Sequence, residues 1–271
     1  MHDPSAWAVD TECALAPPDK YNWELYDLTK DYSQADDLAA KMPAKVKELQ
    51  KVFDQKAKKY QVYPLNNDTF ARALAPRPSA TSGQKVFTYS GILPGIDSGL
   101  APQYLARSFT ITAEVEVLEG GGDGMIVTEG GRFGGYGLYI LKGKPVFDYN
   151  MLSLAQYRWA SPDALTAGKH TIVYDFTYDG PGIAKGGTGV LKVDGKEVDN
   201  HKQPNSIAFL EVSDETFDVG VDTRSGVNDD DYQVPFAFTG KIDKLTFNMG
   251  QPQMMAADKK AVEEAYAKAN D

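Results

Sequence analysis

The sequence contains few of the residues from which covalent cross-links and metal centres are built. Among its 271 residues there is one cysteine, Cys13, and there are three histidines, His2, His170 and His201. A single cysteine excludes an internal disulfide and any cysteine-based zinc site. Because the histidines lie far apart in the sequence, they do not indicate a histidine-rich metal centre. We therefore assign no metal ligands and expect no cofactor in this chain.

Basic residues and long hydrophobic runs are scarce as well. Lys and Arg number 28 against 38 Asp and Glu, a formal net charge of −10. Since phosphate binding needs a basic face, we expect no nucleic-acid partner. No stretch approaches the roughly 18 uncharged apolar residues of a spanning helix, so we expect no membrane partner. With 42% hydrophobic residues, the composition predicts a soluble globular protein.

The N-terminal part, residues 1–65, predicts one strand and one helix. Residues 23–28 alternate aromatic and polar side chains, as a half-buried strand does. Pro43 is favoured in a first helical turn. Apolar residues then recur at spacings of three and four, which predicts an amphipathic helix over about 43–60: Val46, Leu49, Phe53, Ala57 and Tyr60. One strand and one helix cannot form a stable sheet and core, so we expect a truncated chain whose N-terminal part belonged to a larger domain.

The rest of the chain predicts a linker and then a β-domain. Residues 66–84 are rich in proline and small polar residues, which is typical of a linker. Residues 85–250 contain many short β-patterned segments, with strict alternation over 109–117. Hairpin turns are predicted at 142–144 and at the Asp-Gly pairs 194–195 and 179–180. These features predict a mainly β protein, an antiparallel jelly-roll β-sandwich, with a short helical tail over 251–271.

Three glutamates, Glu114, Glu116 and Glu119, give the chain its most enzyme-like pattern. Retaining glycosidases of the laminarinase type place carboxylates on one jelly-roll strand as Glu-x-Asp-x-x-Glu, with two carboxyl groups about 5 Å apart. Here the middle residue is Glu and a glycine run follows at once, which places Glu119 in a turn. The alternative is that Glu114 and Glu116 form the solvated face of an amphipathic strand. We favour that alternative and assign no catalytic residue.

Two glycine runs, 120–124 and 130–137, could suggest loops that bind phosphate. Such a loop needs a helix directly after the glycines, so that backbone N–H groups point at the anion. Here β-patterned segments follow both runs. Tight turns and bulges are the better interpretation.

Oxygen-rich and aromatic residues raise two further hypotheses about ligands. The acidic run 229–231, near Asp222 and Asn228, could bind calcium, although a solvated acidic loop is the simpler interpretation. Aromatic side chains could stack on sugar rings, or they could belong to the sandwich core instead: Tyr136, Tyr139, Tyr149, Tyr157 and Trp159. The sequence alone assigns no carbohydrate-binding residue.

Nucleophilic catalysis finds little support in the sequence. His170 lies beside a predicted strand and His201 in a predicted polar turn, and no Gly-x-Ser-x-Gly motif occurs. We interpret both as surface histidines. The residues by themselves predict a β-sandwich with a helical appendage and no recognisable active site.

Residues 23–50 closely resemble the C-terminal segment of bacterial arylsulfatases of the type I sulfatase family. In that family a Trp-Glu-Leu-Tyr-Asp-Leu strand (here 23–28), a turn carrying Asp-Leu-Ala (here 37–39) and a helix with Pro-x-Lys-x-x-Glu-Leu (here 43–49) close the small C-terminal subdomain. Residues after about 85 resemble the concanavalin A-like jelly roll that long members append to the sulfatase core.

The resemblance implies that the catalytic part of the protein lies elsewhere. Type I sulfatases use a Cys or Ser in Cys-x-Pro-x-Arg, converted to formylglycine, together with a calcium ion. Cys13 is followed by Leu15 and Pro17 at the two defining positions, so it does not match the motif. The resemblance therefore implies an accessory fragment of an arylsulfatase, itself inactive, whose partner is a sulfatase catalytic domain.

Two alternatives to the accessory-fragment interpretation remain open: a glycan-binding, lectin-like module, and a module for interdomain or oligomer packing. A bacterial origin is implied by the resemblance, with the periplasm and the cytoplasm both open as the compartment.

Overall fold

The computed structural model describes residues 21–63, 80–208 and 215–255, together with residues 257, 258 and 260. The chain divides into two compact units. The N-terminal unit comprises Met1–Pro76 and Lys260–Asp271, and the sandwich unit comprises Arg77–Lys259. No helix in the described ranges is both long enough and apolar enough to cross a membrane. Cys13 and most of the predicted linker and helical tail lie outside the described residues.

The N-terminal unit is built around one helix, α1 (Pro43–Lys59), at the position that the apolar spacing predicts. Proline opens the helix, and three lysines in its last turn complement the helix dipole. Phe53 packs edge-on against Trp23 and Tyr63, with ring centroids 5.7 and 6.2 Å apart. Of the apolar residues predicted to lie on one face of this helix, Ala57 is buried, whereas Leu49 and Tyr60 remain exposed.

Residues 22–27 do not form the strand predicted over 23–28. Within residues 21–63 there is no second strand to supply a ladder of backbone hydrogen bonds. The backbone N–H of Leu25 donates instead to Asp37 Oδ1 (2.9 Å), and the carbonyl of Leu25 accepts from the N–H of Leu38 (2.7 Å). The aromatic alternation was therefore not sufficient, because a strand exists only with a partner.

The sandwich unit consists of two six-stranded sheets, as predicted. The strands are β1 (Val86–Tyr89), β2 (Leu93–Ile96), β3 (Phe109–Val117), β4 (Gly124–Gly131), β5 (Gly134–Leu141), β6 (Lys144–Met151), β7 (Ala155–Ala160), β8 (Gly168–Tyr178), β9 (Gly187–Val193), β10 (Lys196–Gln203), β11 (Phe217–Val219) and β12 (Lys241–Met249). Sheet A has the order β1-β12-β3-β8-β9-β10, and sheet B the order β2-β11-β4-β5-β6-β7. All neighbouring strands pair antiparallel. The protein is therefore mainly β, with the jelly-roll sandwich architecture.

The core lies between the two sheets and is rich in aromatic rings. Phe147 of β6 stacks on Tyr174 of β8, with ring centroids 3.5 Å apart, and so joins one sheet to the other. Trp159 is fully buried beside them, and its indole N–H donates to the carbonyl of Gly189 (2.9 Å). Large aromatic side chains remove the most apolar area from water, so these contacts dominate the stability of the sandwich.

Two of the three predicted hairpin turns are confirmed. Lys142-Gly143 and Asp194-Gly195 each have positive φ at both residues, the geometry of a two-residue turn that matches strand twist. The pair at 179–180 behaves differently. There Pro181 follows, and the chain makes a longer loop closed by a bond from the N–H of Asp179 to the carbonyl of Gly186 (2.9 Å).

The outer faces of the two sheets differ. On sheet A, β3 alternates buried and more exposed residues, so its outer face meets water. On sheet B, β4, β5 and most of β6 are buried on both faces. Residues 220–238, which we name the cover loop, lie over this outer face, where Tyr232 packs with Met125, Tyr139 and Val146. The cover loop brings the side chains of the candidate site onto sheet B.

Candidate functional site at one end of sheet B

Two hairpin turns and the cover loop meet at one end of sheet B. The β4–β5 turn and the β6–β7 turn are joined by Ser153, whose Oγ donates to the carbonyl of Arg132 (2.6 Å). The amide of Asn150 donates to the carbonyls of Gly131, Arg132 and Val227 at 3.0, 2.9 and 3.1 Å. We name the exposed residues at this end the tip surface: Arg132, Phe133, Leu152, Ser153, Leu154 and Asp229.

Glycines shape the turn that carries the tip surface. Gly130 and Gly135 face each other across β4 and β5 with φ of +86° and +136°. A Cβ at Gly130 would lie 2.1 Å from the carbonyl oxygen of Gly134, and one at Gly135 would lie 2.1 Å from that of Glu129. Only glycine permits this close approach. The run 130–137 is therefore a hairpin rather than a phosphate loop, because strand β5 and not a helix follows it.

The tip surface combines exposed apolar side chains with an ion pair. Phe133 is 79% exposed and Leu154 is 82% exposed, unusual values for large hydrophobic residues. Arg132 Nε donates to Asp229 Oδ2 at 2.6 Å, and Ser225 Oγ accepts from the backbone N–H of Arg132 (3.0 Å). The turn therefore carries an exposed aromatic side chain and, at the preceding residue, an ion pair whose groups can donate and accept hydrogen bonds.

Beside the tip surface, a polar network covers the outer face of sheet B, and we name it the face cluster: Tyr139, Asp148, Arg158, Asn228 and Asp231. The strand register sets Asp148 of β6 opposite Arg158 of β7. The Arg158 guanidinium donates to Asp231, and it lies 3.4 Å from Asp148 Oδ2 and 3.3 Å from the Tyr139 hydroxyl. Tyr139 also donates to Asp231, and Asn228 donates to Asp148 Oδ2 at 3.0 Å.

Burial governs the charge state of the face cluster. The Asp148 side chain is fully buried, and burial raises its pKa to about 6 against the opposing effects of Asn228 and Arg158. Its Oδ1 atom accepts no hydrogen bond from any residue that the structure describes. Burial and the nearby Asp148 carboxylate raise the pKa of Tyr139, so the phenol keeps its proton. At neutral pH the cluster therefore holds one guanidinium between two carboxylates.

The acidic run, for which calcium binding was the less favoured of two hypotheses, is divided among separate partners. Asp229 pairs with Arg132, Asp231 with Arg158, and Asp222 accepts from the Tyr232 hydroxyl (2.6 Å). Within the described ranges, no three carboxylate, histidine or cysteine side chains converge as metal ligands. The geometry does not support the calcium hypothesis, because Asp222, Asp229 and Asp231 each accept from a different protein donor instead of converging.

The aromatic residues considered for sugar stacking belong mostly to the core. Tyr136, Tyr139 and Trp159 are fully buried and Tyr149 is nearly so, while Tyr157 is half-buried. The sugar-stacking hypothesis is therefore wrong for the four buried residues, and the core interpretation holds. Sequence reasoning missed Phe133. A usable signal was present, because an aromatic residue inside Gly-Gly-Arg-Phe-Gly-Gly sits in a tight turn and has no strand face by which to turn inward.

The predicted solvated glutamates lie where the strand pattern places them. Glu114 and Glu116 are on the outer face of sheet A, where Glu114 is opposite Thr171 of β8 and Lys244 of β12. Glu119 lies in the turn after β3, which the Leu118–Gly121 bridge closes. The three carboxylates do not form a glycosidase-like pair.

The two described histidines are held in structural contacts. His170 Nδ1 lies 2.7 Å from Asp194 Oδ2, and its Nε2 lies 2.9 Å from the carbonyl oxygen of Thr166. His201 stacks flat on Trp159, with ring centroids 4.3 Å apart. Both ring nitrogens of His170 are therefore engaged, which leaves it unsuited to act as a general base.

Comparison with known proteins gives distant structural likenesses only. No protein-family model matches the chain, and no curated protein sequence matches it. The CBM40 of Ruminococcus gnavus IT-sialidase is similar at 16% identity and a TM-score of 0.41, covering 66% of this chain and 97% of its own. Domain 4 of AbnA, a GH43 extracellular arabinanase from Geobacillus stearothermophilus, is similar at 12% identity and a TM-score of 0.36, covering 59% and 68%.

A third likeness is to the SAP-like pentraxin of Limulus polyphemus, at 10% identity and a TM-score of 0.34, covering 62% of this chain and 79% of that one. Likenesses at this level show no sulfatase origin and no function. What the strand order and pairing establish is the fold, an antiparallel jelly-roll β-sandwich.

Proposed function

We propose that the sandwich unit is a carbohydrate-binding, lectin-like module that contacts its glycan at the tip surface. The single observation that carries the proposal is the exposed side chain of Phe133, in the same turn as Arg132 of the Arg132–Asp229 ion pair. A sugar ring presents an apolar C–H face and a rim of hydroxyl groups. An exposed aromatic ring can stack on the C–H face, and a guanidinium with a carboxylate can form hydrogen bonds with the hydroxyl groups.

The rigidity of the tip surface supports this proposal. Asn150 is buried, and its amide N–H groups hold the β4–β5 turn and the cover loop through three hydrogen bonds. Its Oδ1 accepts from the backbone N–H of Ser153 in the β6–β7 turn (2.8 Å), and the Gln156 amide donates to the carbonyl of Val227 (3.0 Å). A surface held in this way loses little conformational entropy when a ligand binds.

The proposal is tested by Phe133→Ala in the full chain, first on a glycan array and then by calorimetry with the best ligand. We expect saturable binding by the unmodified protein and at least a tenfold loss of affinity in the variant, about 1.4 kcal/mol. Leu118→Ala is the matched control. Leu118 is 50% exposed and lies in the β3–β4 turn, at the other end of β4. Absence of any saturable glycan binding, or equal affinity in both variants, contradicts the proposal.

We propose, as a second function, that the N-terminal unit packs against a sulfatase catalytic domain. The observation that favours it is the number of large apolar side chains that this unit leaves exposed: Leu28, Tyr32, Leu49, Val52, Tyr60 and Val62. Exposed apolar surface of this kind marks an interface. We propose a sulfatase catalytic domain as the partner because residues 23–50 resemble sulfatase C-terminal segments. The calcium ion and formylglycine would then belong to that partner.

Hydrogen exchange tests the second function. With the chain alone, we expect the amides of α1 to exchange faster than those of β3, because α1 buries little besides Ala57. Joining the chain to the product of an upstream reading frame that carries Cys-x-Pro-x-Arg should slow exchange in α1. Unchanged exchange in the joined protein, or turnover of an aryl sulfate by this chain alone with added Ca²⁺, contradicts the proposal.

A further inference from the structure

We infer that the tip surface selects uncharged glycans and disfavours sialylated or sulfated ones. This inference rests on the proposed carbohydrate function and names the chemical class of its ligand. It follows from how the basic groups at this end of sheet B are already engaged.

Each of the two guanidiniums beside the site has a carboxylate partner from the cover loop. Arg132 is paired with Asp229 at 2.6 Å, and both side chains are accessible, 60% and 43% exposed. Arg158 is paired with Asp231 and also lies 3.4 Å from the buried Asp148. A ligand carboxylate or sulfate would have to share each guanidinium with a protein carboxylate or displace it. Displacement gains no net ion pair, and sharing places two anions beside one cation.

Carboxylates also outnumber guanidiniums at this site. Among the residues that the structure describes here, Arg132 and Arg158 are paired with Asp229, Asp231 and Asp148, and Asp230 adds a fourth carboxylate. Glu215 and Arg224 offset each other. The lysines of the β5–β6 turn lie at the other end of these strands. Charges within about 8 Å are little screened at physiological ionic strength. The local field therefore opposes an anionic ligand.

The same acidic groups suit a neutral sugar. Ionised carboxylates accept hydrogen bonds only, and sugar hydroxyls are good donors to them. Asp229 and Asp230 are both exposed in the cover loop, and Asp229 is paired with Arg132, the residue that precedes Phe133. The acidic loop that sequence reasoning considered for calcium is thus better suited to hydroxyl groups.

The test uses the full chain and an array on which each neutral glycan is printed beside its sialylated and its sulfated derivative. At 50 mM salt we expect each charged derivative to bind at least tenfold more weakly than its neutral parent. At 500 mM salt the difference should shrink, because screening weakens the repulsion. Equal or tighter binding of the charged derivatives at low salt overturns the inference.

Two variants with the same charge change separate ion pairing from net charge. Asp229→Asn frees Arg132, and we expect about tenfold tighter binding of sialylated or sulfated derivatives. Asp230→Asn removes one negative charge but leaves the Arg132–Asp229 pair, so we expect only a two- to threefold gain. Equal gains in the two variants, or none in Asp229→Asn, contradict the role of the pair.

The outcomes also distinguish this inference from the function on which it rests. If charged glycans bind tightly and Phe133→Ala abolishes that binding, the carbohydrate function stands and the preference for neutral ligands is wrong. If no glycan of any charge binds, the proposed function fails and this inference fails with it.

Discussion

Sheet A and sheet B are built from the same kind of strand but meet different surroundings on their outer faces. The outer face of sheet A carries threonines, lysines and glutamates in contact with water, as on β3. The outer face of sheet B lies under the cover loop, and polar side chains such as Asp148 and Asn150 are buried there. The specific polar contacts of this protein therefore arise where an irregular segment covers a sheet, because buried polar groups must find partners.

The pH dependence of stability should depend strongly on a buried glutamate of sheet B, and this is the largest effect that we expect. Glu129 of β4 is 4% exposed and lies with Tyr136 and Phe217 on the core side, and burial raises its pKa from 4.5 to about 8. Between those values the folded state keeps a proton that the unfolded state has lost. Stability therefore falls as pH rises from about 4.5 to 8 and levels off above.

Glu129→Gln should remove the part of this dependence that Glu129 contributes, while Asp148 and Asp222, whose pKa values burial raises to about 6, keep theirs. We expect the variant and the unmodified protein to have similar free energies of unfolding near pH 4.5, and the variant to be more stable by something of the order of 4 kcal/mol above pH 8. Urea denaturation across pH measures the difference. Glu114→Gln on the outer face of β3 is the matched control for replacing a strand glutamate by glutamine. A constant difference at all pH values would show that Glu129 is ionised in the folded protein.

Ion pairs on the two outer faces should also differ in their contribution to stability. Arg158→Ala leaves Asp148 and Asp231 without their guanidinium under the cover loop, and we expect a loss of about 3 kcal/mol. On sheet A, Lys169 pairs with Asp243 at 3.1 Å but is exposed. Lys169→Ala should cost less than about 1 kcal/mol. Equal losses in urea denaturation would mean that the cover loop does not shield the face cluster from water.

A smaller difference is expected for single hydroxyl groups. The Tyr232 hydroxyl donates to Asp222 Oδ2 (2.6 Å) and accepts from the backbone N–H of Val227 (2.9 Å). Burial already raises the pKa of Asp222 to about 6. Tyr232→Phe should cost about 1–3 kcal/mol, since it leaves buried polar atoms unpaired. Thr110→Val, which breaks the 2.9 Å bond to Asp175 on sheet A, should cost about 0.5 kcal/mol by thermal denaturation.

Strand β3 and two short hairpins were the parts of the fold most accessible to prediction. The alternation over 109–117 on sheet A, and the turn pairs at 142–143 on sheet B and 194–195 on sheet A, carry local signals, because a wet face and a positive φ each demand particular residue types. The helix α1 could be predicted for the same reason, since its apolar spacing is a local pattern. The expected strand at 23–28 shows the limit of such signals, since pairing depends on a segment elsewhere in the chain.

The candidate site could not be predicted in the same way. Tyr136 and Phe133 lie three residues apart, yet one is fully buried and the other is 79% exposed. Arg132 meets Asp229, and Arg158 meets Asp231, across 97 and 73 residues of sequence. No periodicity marks the cover loop. These contacts depend on the course of the loop over sheet B, and no local pattern encodes it.

Composition, alternation and turn chemistry act over a few residues, and they are enough to predict an acidic, mainly β chain with an amphipathic helix over about 43–60. The folded chain was needed to show which aromatic side chains face water, which carboxylates are paired and which exposed ring follows a paired arginine. Burial and charge pairing depend on what lies across a sheet or along a loop, and those neighbours are far away in the chain.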